Sequence, residues 1–123
     1  MLINLSNHPS SNWSSQQLSV AEIYGDLADL PFPAVDPSGD EKYIQSLCEE
    51  YLQKINNICR DLACNKSTIT VHIMGEMTFT FAILKALQKQ NIECISSTTE
   101  RISSEEDGLK TSEFKFVKFR KYQ

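Results

Sequence analysis

The sequence predicts an α/β fold: a Rossmann-like three-layer sandwich with a mostly parallel sheet and an antiparallel C-terminal edge strand. Three observations predict it. Short apolar, β-branched runs alternate with segments whose apolar residues recur at helical spacing, the pattern of strands joined by crossover helices. From Ser67 to Leu87 the period switches inside one stretch, at Gly75-Glu76, so a strand, a tight turn and a helix follow one another. The connection between the last two strand-like runs carries a strong turn signal and is too short for a crossover helix, so the final strand runs antiparallel to its neighbour.

The 123 residues, 41% hydrophobic and 23% charged, suffice for one domain with a real core, spanning 1–123, and not for two. A net charge of −4 leaves no excess of Lys and Arg to neutralise many phosphates, which argues against a long nucleic acid as partner. A short or cyclic nucleotide stays open. Cys48, Cys59, Cys64 and Cys94 form no CxxC pair and have no nearby His at a metal spacing, so they read as buried thiols in a reducing cytoplasm. The N-terminus shows neither a basic region nor a cleavage site, and no apolar run reaches the length of a membrane span. The expectation is a soluble, cytoplasmic protein with no membrane partner.

Taken in order, Leu2 to Leu5 form the first strand, and Pro9 ends it, holding His8 extended as the chain leaves the sheet. Ser14 with Gln17 fits a capping box that opens a helix to about Tyr24, stopped by Gly25. A second strand covers Asp26 to Phe32. Ile44, Leu47, Tyr51, Leu52, Ile55, Ile58 and Leu62 recur at helical intervals and predict the longest helix, Asp40 to Ala63. After the central strand and helix, Asn91 suits a helix C-terminus and Ile92 to Thr99 reads as the fourth strand. Glu105-Glu106-Asp107-Gly108 is a turn, and Phe114 to Arg120 is the fifth strand, whose phase slips between Phe116 and Val117, as a bulge or a strand covered on both faces would produce.

This order gathers the ends of strands one, three and four on one rim: Ser6-Asn7-His8, Gly75-Glu76 and Thr98-Thr99-Glu100-Arg101. Those residues form an anion-binding set without an evident metal. His8 can donate a proton or meet a phosphate near neutral pH, Ser6, Asn7, Thr98 and Thr99 offer neutral hydrogen bonds, and Arg101 can hold a phosphate bidentately. Glu76 is either a first-turn acid favoured by the helix dipole or a partner for a ribose hydroxyl, with the backbone beside it, at Gly75, the better phosphate ligand. Trp13 either packs beneath the first helix or stacks on a base. His72 reads as a satisfied core histidine, and Met74 and Met77 as packing. Five basic residues against Glu113 give the last fourteen positions +4 and leave −8 for the rest, so the final strand is an edge protected by charge or a basic wall beside a ligand. No GxSxG, GxxxxGK[ST] or GxGxxG occurs, which removes the usual support for triad hydrolases, P-loop enzymes and dinucleotide sites.

The first strand running into Ser6-Asn7-His8-Pro9 with Trp13 close behind, the Gly75-Glu76 turn and the Ser97-Thr98-Thr99 strand end resemble the small CRISPR-associated ring nucleases. These are relatives of the CRISPR-associated Rossmann-fold (CARF) sensor domains. The resemblance implies a homodimer that binds a cyclic oligoadenylate, most often the tetra-adenylate, and cleaves it without metal or cofactor, switching off type III CRISPR signalling. A ribose 2′-hydroxyl would attack the adjacent phosphate and leave a 2′,3′-cyclic phosphate. It assigns His8 as general acid or phosphate binder, Ser6, Asn7 and Thr98 to phosphate positioning, Arg101 to charge stabilisation and Glu76 to ribose contact. Two other classes remain: a module that sequesters a cyclic nucleotide uncut, and an interaction subunit that binds none. Transfer on a nucleoside or sugar through Glu76 would need a second carboxylate, for which Glu100 is the nearby candidate.

Overall fold

The computed structural model describes residues 1–65 and 68–123, so Ser67, where the period-switching stretch begins, lies outside the described residues. The strands are β1 (Leu2–Ser6), β2 (Leu27–Asp29), β3 (Thr70–Met74), β4 (Glu93–Glu106) and β5 (Leu109–Lys121), and the helices are α1 (Ser15–Ala21), α2 (Glu41–Asp61) and α3 (Met77–Lys89). They build the α/β sandwich that the sequence predicts. One five-stranded sheet has the order β2-β1-β3-β4-β5, parallel except for the antiparallel β4–β5 pair. The order reverses between β1 and β3, which opens a crevice at their carboxyl ends.

The local signals explain most boundaries. Ser14 caps α1 by accepting the Gln17 N–H, and Gly25, at φ 87°, turns the chain out of the following 3-10 turn. Asp40 caps α2 through the Tyr43 N–H, and Asn91 follows α3 in the left-handed conformation at φ 58°. The second strand is shorter than Asp26 to Phe32, because the prolines beyond it cannot extend a ladder.

The sheet faces differ. Ile3, Leu5, Val71, Ile73 and Cys94 pack with Ile55, Phe79, Ile83 and Leu87 of α2 and α3 in the main core. Phe79 lies edge-on to both Phe32 and Tyr51. On the opposite face the seven-residue α1 covers a small cluster of Leu2, Trp13, Ala21 and Ile95, edged by Tyr24, Leu27 and Phe119. Met77, expected to pack, is instead exposed on α3 beside a similarly exposed Phe81.

The largest departure is the last hairpin. β4 pairs with β3 only through Glu93, Cys94 and Ile95, then continues with β5 as a two-stranded arm roughly 35 Å long. Cross-strand hydrogen bonds carry both strands past the ends expected at Thr99 and Phe114, up to a turn at Asp107-Gly108 where both φ angles are positive. That is the Asp-Gly hairpin turn whose twist matches the strands. A bulge lies where the phase slips: Thr99 pairs Phe116 and Thr98 pairs Lys118, leaving Val117 as the extra residue. The consequence is segregation. Phe114, Phe116 and Phe119 share one face of the arm by register, and Lys115, Lys118 and Arg120 share the other.

Deleting Val117 leaves Phe114-Lys115-Phe116-Lys118-Phe119-Arg120 in strict alternation with the same partners on β4, so the two faces stay segregated without the bulge. We expect the deletion to stay within about 1 kcal/mol of the parent stability, while Phe116→Ala, which removes a buried ring, costs about 3 kcal/mol or more. Urea denaturation of both variants checks this, and equal effects would contradict the segregation.

Candidate functional site

Parallel pairing sets the rim. Ser6 is level with Met74, and the Ser97 N–H reaches Met74 Sδ at 3.3 Å, so the ends of β1 and β3 and the middle of β4 lie at one height. Ser6-Asn7-His8 and Gly75-Glu76 lie along that height, and of the expected Thr98-Thr99-Glu100-Arg101 end Thr98 is the residue next to it. Arg101 does not join them: it lies farther out on the arm, opposite Phe114, and donates from Nε and Nη2 to Ser112 Oγ at 3.3 and 3.1 Å. Glu100 sits on the arm too, opposite Lys115, and so offers Glu76 no second carboxylate at the rim.

Beneath the rim, on the α1 face, a buried polar network crosses the sheet. Asn4, 1% exposed, donates from Nδ2 to Asp29 Oδ1 at 2.8 Å and to the His8 carbonyl at 2.9 Å. Its Oδ1 accepts from Ser6 Oγ at 2.8 Å and meets His72 Nδ1 at 2.9 Å. His72 Nε2 lies 2.7 Å from Ser97 Oγ, which accepts from Gln17 Nε2 at 3.1 Å. An amide oxygen can only accept, so His72 carries its proton on Nδ1 and receives the Ser97 hydroxyl at Nε2. Burial, reinforced by nearby His8, lowers the His72 pKa to about 4 and keeps the ring neutral. Burial raises the Asp29 pKa, but hydrogen bonds from Asn4 and Ser10 outweigh it and leave the carboxyl below its usual value.

This network commits several groups expected to face a ligand. Ser6 is 4% exposed, and its hydroxyl is used within the network. Trp13 is buried, stacked edge-on against His72 at 5.4 Å with Nε1 donating to the His8 carbonyl at 3.1 Å, so it holds the loop rather than offering a face to a base. The His8 carbonyl thus accepts from Asn4 and Trp13, with Ser6 Oγ 3.2 Å away. His8 and Asn7 themselves stay exposed.

Across the crevice, Glu76 caps α3, accepting the Thr78 and Phe79 N–H groups at 3.0 and 2.8 Å and the Thr78 hydroxyl. The Phe79 N–H, then the Thr78 hydroxyl and N–H, lower its pKa. A carboxylate occupies the donors that a phosphate would have used. Gly75 meets the same fate: a Cβ there would stand 2.3 Å from the Phe32 ring, so glycine serves packing rather than ligand approach. Asp36, Asp40, Glu41 and Glu76 line a cleft of about 540 Å³ between the starts of α2 and α3, which gives that side an acidic character. On the far side Thr98 closes the bulge, with Oγ1 donating to the Lys118 carbonyl and accepting its N–H, while Thr99 is exposed opposite Phe116. Among the described residues no group of three His, Cys, Asp or Glu is placed to hold a metal ion, and no helix is long and apolar enough to cross a membrane.

A family model described as "Uncharacterized protein MJ1673 family" matches residues 1–120. The chain belongs to the MJ1673 family. No curated protein and no solved structure matches it significantly. In this MJ1673-family chain Gln17, read as half of a capping box, gives only its backbone N–H to Ser14 and sends its side chain to Ser97, and the network roles of Asn4, Asp29 and Ser97 escape sequence reasoning, although one signal was present. Asn4 and His72 each interrupt an apolar strand, and they are register partners.

The His72 environment predicts a pH effect of definite sign. The unfolded ring binds its proton first as pH falls, so the stability contributed by neutral burial is complete above about 6.5 and is lost as pH approaches 4, about 3 kcal/mol in all. The lowered carboxyls of Glu76 and Asp29 lose their stabilisation from about their ordinary values of 4.5 and 3.8 downward, so they enter only at the acid end of this window. We expect the urea midpoint to fall between pH 7 and 4, and His72→Gln to flatten that fall. An equally steep fall in the variant would contradict it.

Proposed function

We propose that this chain binds a cyclic oligoadenylate, in the first instance cyclic tetra-adenylate, across the rim of a cytoplasmic homodimer and cleaves it without metal, ending type III CRISPR signalling. The resemblance carried by Ser6-Asn7-His8-Pro9 supplies the substrate class. The observation that carries the reading is the spacing of the rim's free groups. Exposed His8 and Asn7 end β1, while Lys118 and Arg120 lie on β5, three strand positions away or about 14 Å. One phosphate cannot bridge that span, and a ring of several can.

The acids around the α2–α3 cleft disfavour an anion there, which leaves the His8 loop and the basic face of the arm as its neighbours. In the cleavage step the ribose 2′ oxygen forms a bond to phosphorus and the bond to the 5′ oxygen breaks. The 2′ hydroxyl gives its proton to solvent water, His8 gives the leaving 5′ oxygen its proton, and Lys118 offsets charge on the phosphate. Holding attacking and leaving oxygens in line supplies much of the rate. A two-fold pair would offer each group twice to a large ring.

Incubation with cyclic tetra-adenylate in the presence of a chelator, followed by product separation, tests this. The expected products are linear and end in 2′,3′-cyclic phosphate. His8→Ala should slow cleavage about 10²–10⁴-fold with little change in Kd, and Lys118→Glu should weaken binding about tenfold or more. An intact ring after long incubation with stoichiometric protein would reduce the function to sequestration. Absence of binding heat would leave an interaction subunit instead.

A further inference from the structure

We propose that Cys59 and Cys64 form an oxidation site, joined as an intrachain disulfide by low-molecular-weight disulfides of the glutathione class. The backbone brings the two thiols together. Leu62 ends α2, Ala63 follows in the left-handed conformation at φ 49°, and the Cys64 N–H returns to the Cys59 carbonyl while the Ala63 N–H returns to Arg60. That pair of bonds is the Schellman motif, which sets the side chain three places before the cap against the one two places after it. An apolar contact usually fills that position. Here both residues are cysteine, and the Cys64 thiol donates to Cys59 Sγ at 2.7 Å. About 0.7 Å of closure brings the sulfurs to a disulfide bond of ~2.05 Å.

Exposure sets the order of events. Cys64 is partly exposed and Cys59 is 4% exposed. The Cys64 thiolate attacks one sulfur of glutathione disulfide, forming a mixed disulfide and releasing one glutathione thiolate. Cys59 gives up its proton and attacks Cys64 Sγ, breaking the mixed disulfide and releasing the second glutathione. The two cysteines together lose two protons and two electrons, and the glutathione disulfide takes up both. Cys48 and Cys94 provide internal controls: burial, aided by Glu49 and Glu93 respectively, raises both thiols, Cys94 to about 12, and neither has a sulfur neighbour in this motif. The site lies at the end of the sheet opposite His8, since β3 begins just after it and ends at the rim, so it stands independently of the cleavage reading.

The test equilibrates the full chain in glutathione redox buffers, traps thiols by alkylation under denaturing conditions and maps peptides by mass spectrometry. A Cys59–Cys64 linked peptide is expected, two hydrogen masses lighter than its reduced form, with Cys48 and Cys94 alkylated. In Cys59→Ser the glutathione adduct on Cys64 should persist. Alkylation of all four cysteines in excess glutathione disulfide, or persistence of the adduct in the unsubstituted chain, would overturn the proposal.

Discussion

The α1 face of this molecule depends on the side-chain amide of Asn4. Buried in the middle of β1, it can neither be left unpaired nor reach water, and leaving such a group unsatisfied costs on the order of 1–3 kcal/mol. Its donors and acceptor reach Asp29, His8, Ser6 and His72, on three segments separated in sequence. Satisfying one residue therefore sets the position of β2's end, the ring of His72 and the path of the His8 loop. Trp13 then closes over the same carbonyl that Asn4 holds. The small apolar cluster on this face is thin, so polar geometry takes up part of the specificity that a larger core would provide.

That commitment divides the rim into groups that build and groups that remain. Ser6, Trp13, Glu76 and Gly75 build: each has its hydrogen-bonding or steric capacity met within the chain. His8, Asn7 and the basic face of β5 remain. The starts of α2 and α3, the usual places for an anion in a doubly wound sheet, are capped by Asp40 and Glu76, which takes up their N–H groups and turns the local field negative. Under the proposed reading, recognition of phosphate then falls to side chains on the arm, which the register around Val117 keeps apart from the aromatic residues.

Much of this was legible in the chain. The switch of period at Gly75-Glu76, the cap at Ser14 and the Asp-Gly turn are local signals with local causes, and each appears where expected. The phase slip at Val117 was visible as well, although the pairing was needed to distinguish a bulge from burial on both faces. The continuation of β4 past Thr99 was not legible. Its residues Glu100 to Glu106 are polar and lack the alternation of a half-buried strand, because the arm leaves the sheet and has no core to face. Arg101 was therefore assigned to a rim that its strand passes beyond.

Periodicity, capping and turn chemistry act over a few residues, and so the chain's own pattern dictated the element order and the parallel sheet with one antiparallel edge. Tertiary structure alone decided which rim residues are free. Asn4 and His72 lie 68 positions apart in the chain, and a hydrogen bond between them exists only once parallel pairing has put them side by side. Whether a serine, tryptophan or glutamate meets a ligand or its own chain is a matter of which partner is nearest, and nearness across the sheet is not written in spacing.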